Sequence, residues 1–255
     1  FPSYQSSLSS ILKFKPKFKL LNMSSKVILI LGSGARIGAN VSRAFAAKGY
    51  KVALAARSLT EADNTSSEIH IQADFSDPKS VISAFAKTKE LLGTPSVVVY
   101  NAAAATIVPS QDPLSPSLTL SAFQSDLNIN TTSAFVAAQQ AALAFATLAE
   151  HTDAAKTFIY TGNILNETVI APLMSCGVGK NASAHFVKTA AGAYGERGFK
   201  FYYADERNAD GSPAYAVVDG EAHGNFYVEL AEGQGQGPWQ QTFVSGVGYK
   251  KFAVA

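Results

Sequence analysis

Val27-Ile28-Leu29-Ile30-Leu31-Gly32-Ser33-Gly34-Ala35-Arg36-Ile37-Gly38 is the stretch that decides the fold of this chain. Residues 27–31 form a short apolar, β-branched run, the pattern of a parallel strand buried on both faces. The glycines that follow allow a tight turn and let backbone approach a ligand with no Cβ in the way. From Ile37 the spacing turns helical, with Ile37, Val41, Phe45 and Ala46 on one face. A helix starting there points free N–H groups and a positive dipole end at whatever lies above the glycines, and a pyrophosphate suits that position. Gly32, Ser33, Gly34, Arg36, Ile37 and Gly38 are therefore expected to contact a dinucleotide.

The second strand is read at residues 52–57. An acid that holds a ribose 2′-OH would stand at its end, about 20 residues past the glycines. Ala56 and Arg57 stand there instead, and no Asp or Glu occurs before Glu61. An arginine in that place suits a 2′-phosphate, which favours NADP over NAD. The competing reading of Arg57 is a side chain that merely snorkels at a strand end.

Strands and helices alternate along the rest of the chain. Further strands are expected at residues 69–72, 96–100, 157–161, 200–204 and 241–244. A helix follows Asp77, its expected N-cap, with Pro78 at the first position. A long Ala-rich helix is expected over 120–148, another over 177–194 and a last one over 224–231. Such alternation implies right-handed crossovers and an α/β fold, a doubly wound parallel sheet with helices on both faces. No repeat or low-complexity linker divides it, so residues 23–255 read as one NADP-binding domain.

The chain of 255 residues is 47% hydrophobic and 16% charged, an ordinary globular composition. A single cysteine, Cys176, excludes an intramolecular disulfide framework and a cysteine-based metal site. The four histidines, His70, His151, His185 and His223, lack ligand spacing, so no metal is expected. A net charge of +2 is too small to suggest nucleic acid. The charge is uneven, however. Residues before Glu61 carry ten Lys or Arg and no acid, and the remainder nets −8. Residues 1–22, basic and Ser-rich, have three readings: a transit peptide, a membrane-touching basic arm, or a disordered or non-native leader before Met23. The last is preferred. No apolar run is long enough to cross a membrane, and a cytoplasmic location is expected.

Over about residues 26–204 the chain resembles the short-chain dehydrogenase/reductase family, which implies a Rossmann-type fold. Gly32 and Gly38 match the outer glycines of the family's turn, while Leu31 replaces its Thr and Arg36 its middle Gly. A basic residue near this turn is common in members that prefer NADP. The family's Asp after the third strand matches Asp74, whose implied role is contact with the adenine. Its Asn-Ala-Gly after the fourth strand matches Asn101-Ala102-Ala103, and the Asn of its fourth main helix matches Asn130. The resemblance implies a small-molecule substrate and allows a homo-oligomer.

The family's chemistry uses Tyr-x-x-x-Lys on one helix and a Ser at the preceding strand end. Spacing of i and i+4 puts the Tyr and Lys on one helix face. The Lys lowers the phenol's pKa and holds the nicotinamide ribose, and the phenol passes the proton. Here Lys180 falls on the Lys position, Cys176 on the Tyr position and Asn163 on the Ser position. A thiol is a short, weak donor, so Cys176 reads as a packing residue. The Asn163 amide can polarise a carbonyl. Lys180 and Asn163, with Asn130, are the expected catalytic residues. Tyr203 is the expected replacement donor, with Asp205, Glu206 and His223 as further candidates. Asp205, Glu206 and Arg207 read equally as a solvated, ion-paired turn, and Trp239 as a core or lid anchor. Two functions are compatible with this pattern. One is an NADPH-dependent oxidoreductase with a divergent site, acting on a carbonyl or activated double bond. The other is a catalytically silent NADP-binding sensor or scaffold.

Overall fold

Ile28 and Ile30 point to one face of the sheet and Leu29 and Leu31 to the other, all fully buried, because helices cover both faces. The computed structural model describes residues 26–148 and 154–253. The expectations for residues 1–22 and for His151 lie outside the described residues. Among the described residues eight strands form one sheet: β1 (Val27–Leu31), β2 (Lys51–Ala56), β3 (Glu68–Gln72), β4 (Val97–Tyr100), β5 (Thr157–Thr161), β6 (Lys200–Glu206), β7 (Gln240–Val244) and β8 (Gly248–Tyr249). Their order is β3-β2-β1-β4-β5-β6-β7-β8, parallel except for the β7–β8 pair. This is the doubly wound α/β sheet expected, closed by a short antiparallel edge.

The chain runs outward from β1 to β3, then returns across β1 to place β4 on its other side. That reversal opens a crevice beyond the carboxyl ends of β1 and β4, where open sheets bind ligands. On one face lie α2 (Lys79–Leu91), α4 (Ser133–Thr147) and α5 (Met174–Tyr194), and on the other α1 (Ile37–Ala47) and α6 (Gly220–Glu232). Gly220 lets α6 approach α1 closely, since a Cβ there would stand 2.4 Å from the Arg36 carbonyl oxygen. No helix among the described residues is long and apolar enough to cross a membrane.

Among the boundaries that differ from the sequence reading, three have a clear physical reason. The long Ala-rich helix is two helices, α3 (Leu120–Leu127) and α4, joined by a π turn at Asn128–Thr132. The wide turn admits an extra residue into the helix, and such turns gather at functional sites. α6 begins at Gly220 rather than 224, because Asp219 caps it by accepting from the Glu221 and Ala222 amides. Finally, β6 continues to Glu206, and Asp205, Glu206 and Arg207 are buried. The solvated-turn reading of these three is therefore corrected, because β7 pairs with Asp205 and Glu206 on one side; the ion pairing expected there is present, between Arg207 and Asp205, with Glu167 as a second partner from outside the run.

Candidate active site

The crevice has two lobes that share Gly34, Asn101 and Ala103. One lobe, about 410 Å³, is lined by Gly32, Ser33, Arg57, Asp74, Ala102 and Ile129 among others. Gly32 has φ +99°, and a Cβ on it would stand 2.4 Å from the Ala102 nitrogen. Only glycine fits both the conformation and the approach. Asn101 Nδ2 donates to the Gly32 carbonyl at 2.7 Å and ties β4 to the turn. Gly38 does not line the crevice; it lets α1 pack closely on the turn, since a Cβ on it would stand 2.5 Å from Ser33 Cα. Ser33 Oγ is buried and has no protein partner. Arg57 stands exposed just past β2, facing Asp74 across the lobe, and its charge helps lower the Asp74 carboxyl. The main cause of that lowering is Ser76, whose amide donates to Asp74 Oδ1 at 2.9 Å.

The second lobe, about 470 Å³, runs from Arg36 and Ile37 to Asn163, Lys180, Asp205 and His223. Within the core, outside the lining of this lobe, a ladder of tyrosines stands in register on adjacent strands: Tyr100 on β4, Tyr160 on β5 and Tyr203 on β6. Their rings stack at 5.8 and 5.5 Å between centroids. Each hydroxyl fixes one piece of backbone. Tyr100 donates to the Ile129 carbonyl at 2.5 Å and Tyr160 to the Asn130 carbonyl at 2.8 Å. Tyr203 donates to the Asn163 carbonyl at 2.8 Å and accepts from the Asn163 amide at 3.1 Å.

Two sequence expectations change here. Tyr203 does not reach the cavity: its ring lies beneath Gly162, where a Cβ would stand 2.1 Å away, and both its hydroxyl bonds go to Asn163. Burial also holds its phenol far above the ordinary range. Asn130 is buried in the π turn, with Nδ2 donating to the Ala104 carbonyl at 2.7 Å and Oδ1 accepting from its amide at 3.1 Å. Its amide latches the strand-end loop, and its carbonyl also accepts from Ser183 on α5 at 2.7 Å.

Lys180, on α5, is 3% exposed and lines the cavity. Its ammonium donates to the Thr161 carbonyl at 2.8 Å and sits 4.5 Å from the centre of the Tyr160 ring. Asn163 caps the short turn Ile164–Asn166 by accepting from the Leu165 amide through Oδ1, which leaves Nδ2 as its donor. Cys176, one turn before Lys180, is buried and does not line the cavity, and burial pushes its thiol up despite Lys180.

At the end of β6 the structure assembles a cluster that no local spacing announced. The Arg207 guanidinium bonds Asp205 Oδ2 through Nε, reaches Glu167 Oε2 at 3.2 Å, and donates to the Gly211 carbonyl at 3.2 Å. Glu167 also accepts from Gln240 Nε2. Asp205 is 1% exposed, its Oδ1 has no hydrogen-bond partner, and burial pushes its carboxyl up to about 7. Glu206 accepts from the Asp219 amide at 2.9 Å. His223 has Nδ1 2.8 Å from the Asp219 carbonyl, and burial lowers its imidazole. Nδ1 faces two acceptors, the Asp219 carbonyl and, at 3.4 Å, Glu206 Oε2, an arrangement that suits a proton on Nδ1.

Comparison with known proteins agrees with this architecture. The family model described as short chain dehydrogenase matches residues 26–200. A short chain dehydrogenase/reductase from Cryptosporiopsis sp. (strain 8999) is 47% identical over 242 residues, 90% of this chain and 96% of that protein. Among solved structures, a short chain dehydrogenase from Burkholderia cenocepacia J2315 in complex with NADP shares the fold with TM-score 0.68 at 23% identity, covering 88% of this chain and 98% of that one. An NADPH-dependent 3-quinuclidinone reductase from Rhodotorula rubra does so with TM-score 0.66 at 22% identity, covering 91% of each.

Proposed function

The chain belongs to the short-chain dehydrogenase/reductase family, oxidoreductases that use a nicotinamide cofactor, and from that premise we propose that it is an NADPH-dependent reductase of a carbonyl or activated double bond. One observation carries the proposal. The glycine turn, Arg57 and Asp74 lie in a crevice continuous with the cavity that holds Lys180 and Asn163. The residues present fit such a cofactor. Gly32 and Gly38 leave no space for a Cβ, Ser33 Oγ is a buried hydroxyl awaiting a partner, and Arg57 meets the adenosine lobe. Gly32, Ser33, Gly34, Arg36 and Ile37 would hold the pyrophosphate, Asp74 the adenine and Arg57 the 2′-phosphate. Asn101 and Ala102 would form the wall between the lobes.

The nicotinamide supplies a hydride to the substrate when bound. The protein's part is positioning and charge. Lys180 would hold the nicotinamide ribose through the ammonium protons that Thr161 leaves free. Asn163 Nδ2 would donate to the substrate oxygen and polarise it.

The preference for NADPH is tested by titrating NADPH and NADH against the parent protein and Arg57→Ala. The expected loss for NADPH is about 1.5–3 kcal/mol, the size of a charge-assisted bond, with little change for NADH. Equal affinity of the parent for both cofactors refutes the assignment of Arg57. Cys176 at the family's Tyr position favours a second reading, a catalytically silent NADP-binding protein. A turnover screen of aldehydes, ketones and enones with NADPH separates the two.

A further inference from the structure

We propose that the Asp205 carboxyl group is the proton donor of this site, delivering its proton to the substrate oxygen. This rests on the reductase reading above and supplies the group which that reading leaves without an owner.

The placement comes first. Asp205 lines the same cavity as Asn163 and Lys180, at the carboxyl end of a central parallel strand. The pattern of hydrogen bonds decides which oxygen carries the proton. Arg207 takes Oδ2, and the buried Oδ1 has no protein partner. A buried carboxylate oxygen without a donor is costly when charged. As a carboxylic acid, the group carries its hydrogen on Oδ1, a donor still in need of an acceptor. A carbonyl oxygen entering the cavity is such an acceptor.

The charge balance points the same way. Arg207 is shared between two acids, Asp205 and Glu167. The titratable and charged groups that act on Asp205 are Arg207 and Tyr203 on β6 itself, Glu167 from the turn after β5, Lys180 from α5 and Tyr227 from α6. The cations Arg207 and Lys180 thus face two carboxyl groups, Asp205 and Glu167. Burial outweighs both cations and raises the Asp205 carboxyl to about 7. A donor near neutral pH is both protonated and able to give the proton up.

The step balances as follows. With a reduced nicotinamide cofactor bound, the cofactor would supply the hydride to the carbonyl carbon as the C=O π bond breaks. The electron pair left on oxygen would take the proton from Asp205 Oδ1, so the substrate would leave as an alcohol with the cofactor oxidised. The Asp205 carboxylate would then be reprotonated from solvent.

The test uses the whole chain and Asp205→Asn, which keeps an acceptor for Arg207 and removes the acid, with Asp205→Glu as the variant that restores one. NADPH affinity is measured first by fluorescence titration. The rate with saturating NADPH is then followed from pH 5.5 to 9 on a panel of aldehydes, ketones and enones. The parent kcat is expected to fall as pH rises through about 7. Asp205→Asn should lose on the order of 100-fold or more in kcat, lose that pH limb, and keep its NADPH affinity. Asp205→Glu should recover part of the rate. Infrared difference spectra at pH 6 should show a protonated buried carboxyl in the parent that Asp205→Asn lacks. Parent-like rate and pH profile in Asp205→Asn overturns the proposal. So does a parent with no pH limb in this range, a result that needs no variant to fold. A parent that binds NADPH yet turns over no member of the panel overturns the reductase reading and this proposal together.

Discussion

Tyr203→Phe separates a structural hydroxyl from a chemical one. The phenylalanine ring fills the same volume between Tyr160 and Trp239, so apolar burial is unchanged. What is lost is the pair of hydrogen bonds to Asn163, at 2.8 Å to its carbonyl and 3.1 Å from its amide. Each bond is worth about 0.5–1.5 kcal/mol net, and a buried backbone group left without a partner costs about 1–3 kcal/mol. The expected loss of stability is therefore about 1.5–3 kcal/mol. For a domain of this size that lowers Tm by roughly 3–12 °C. Because the hydroxyl fixes the backbone that presents the Asn163 amide, kcat should fall as well, by about tenfold at most.

The assay is a denaturant melt of parent and variant beside NADPH affinity and turnover of one carbonyl probe. A general acid is worth about 10²–10⁴-fold. If Tyr203→Phe keeps the parent's stability and NADPH affinity yet loses turnover by more than 100-fold, the hydroxyl takes part in the chemistry and its assignment to Asn163 is wrong. Gly162→Ala is the steric counterpart. Its Cβ would stand 2.1 Å from Tyr203 Cε1 inside the core, and it should cost more than Tyr203→Phe because ring and backbone must both shift.

Other substitutions probe the same frame. Lys200→Met should lose about 2–4 kcal/mol in a denaturant melt, because the buried ammonium closes the end of α6 on the carbonyls of Leu230, Ala231 and Gly233 at 3.1, 2.7 and 2.6 Å; an unchanged midpoint refutes that role. Cys176→Ala should keep most of its turnover, since the thiol is buried outside the cavity, whereas Lys180→Ala should bind NADPH several-fold more weakly and lose most of its rate. A dead but folded Cys176→Ala makes the thiol chemical. Asp205 also predicts a pH dependence of stability. Its carboxyl rises from about 3.9 unfolded to about 7 folded, so the folded state binds the proton more tightly. The contribution is complete below pH 4 and disappears as pH rises through 7. The parent should thus lose up to about 4 kcal/mol relative to Asp205→Asn between those pH values; parallel stability curves for the two proteins exclude it.

The sheet was legible because its signals are local. Residues 27–31 carry their burial in five consecutive apolar side chains, and Gly32 carries its turn in the missing Cβ. The residues expected at the crevice from Gly32 to Ala102 line it, apart from Gly38, which serves the close packing of α1. The π turn was not legible, since one extra residue in an Ala-rich helix disturbs no apolar stripe that could be counted. Tyr203 misled for a different reason. Proximity to a strand end says nothing about the direction of the ring, and that direction was set by the in-register partners Tyr100 and Tyr160 and by the space that Gly162 leaves open.

The run Asp205-Glu206-Arg207 was the hardest to read, and it bears most on the chemistry. Three charged residues in a row read as solvated unless their partners are visible, and here, besides the Arg207–Asp205 pair inside the run, the partners come from outside it. Glu167 follows β5, Gln240 opens β7, and the amide of Asp219 precedes α6. Sequence distance hides such a cluster, while folding brings it together at the mouth of the crevice. The resemblance would place the family's donor on α5, at Cys176. The acid at this mouth belongs to β6 instead, on a strand whose backbone is tied to β5 and β7 on either side. A carboxyl held on such a strand loses little freedom when substrate arrives. The proposed donor draws on the same tie: Tyr203 fixes the Asn163 backbone and pairing with β5 and β7 fixes the strand of Asp205, and both residues line one cavity.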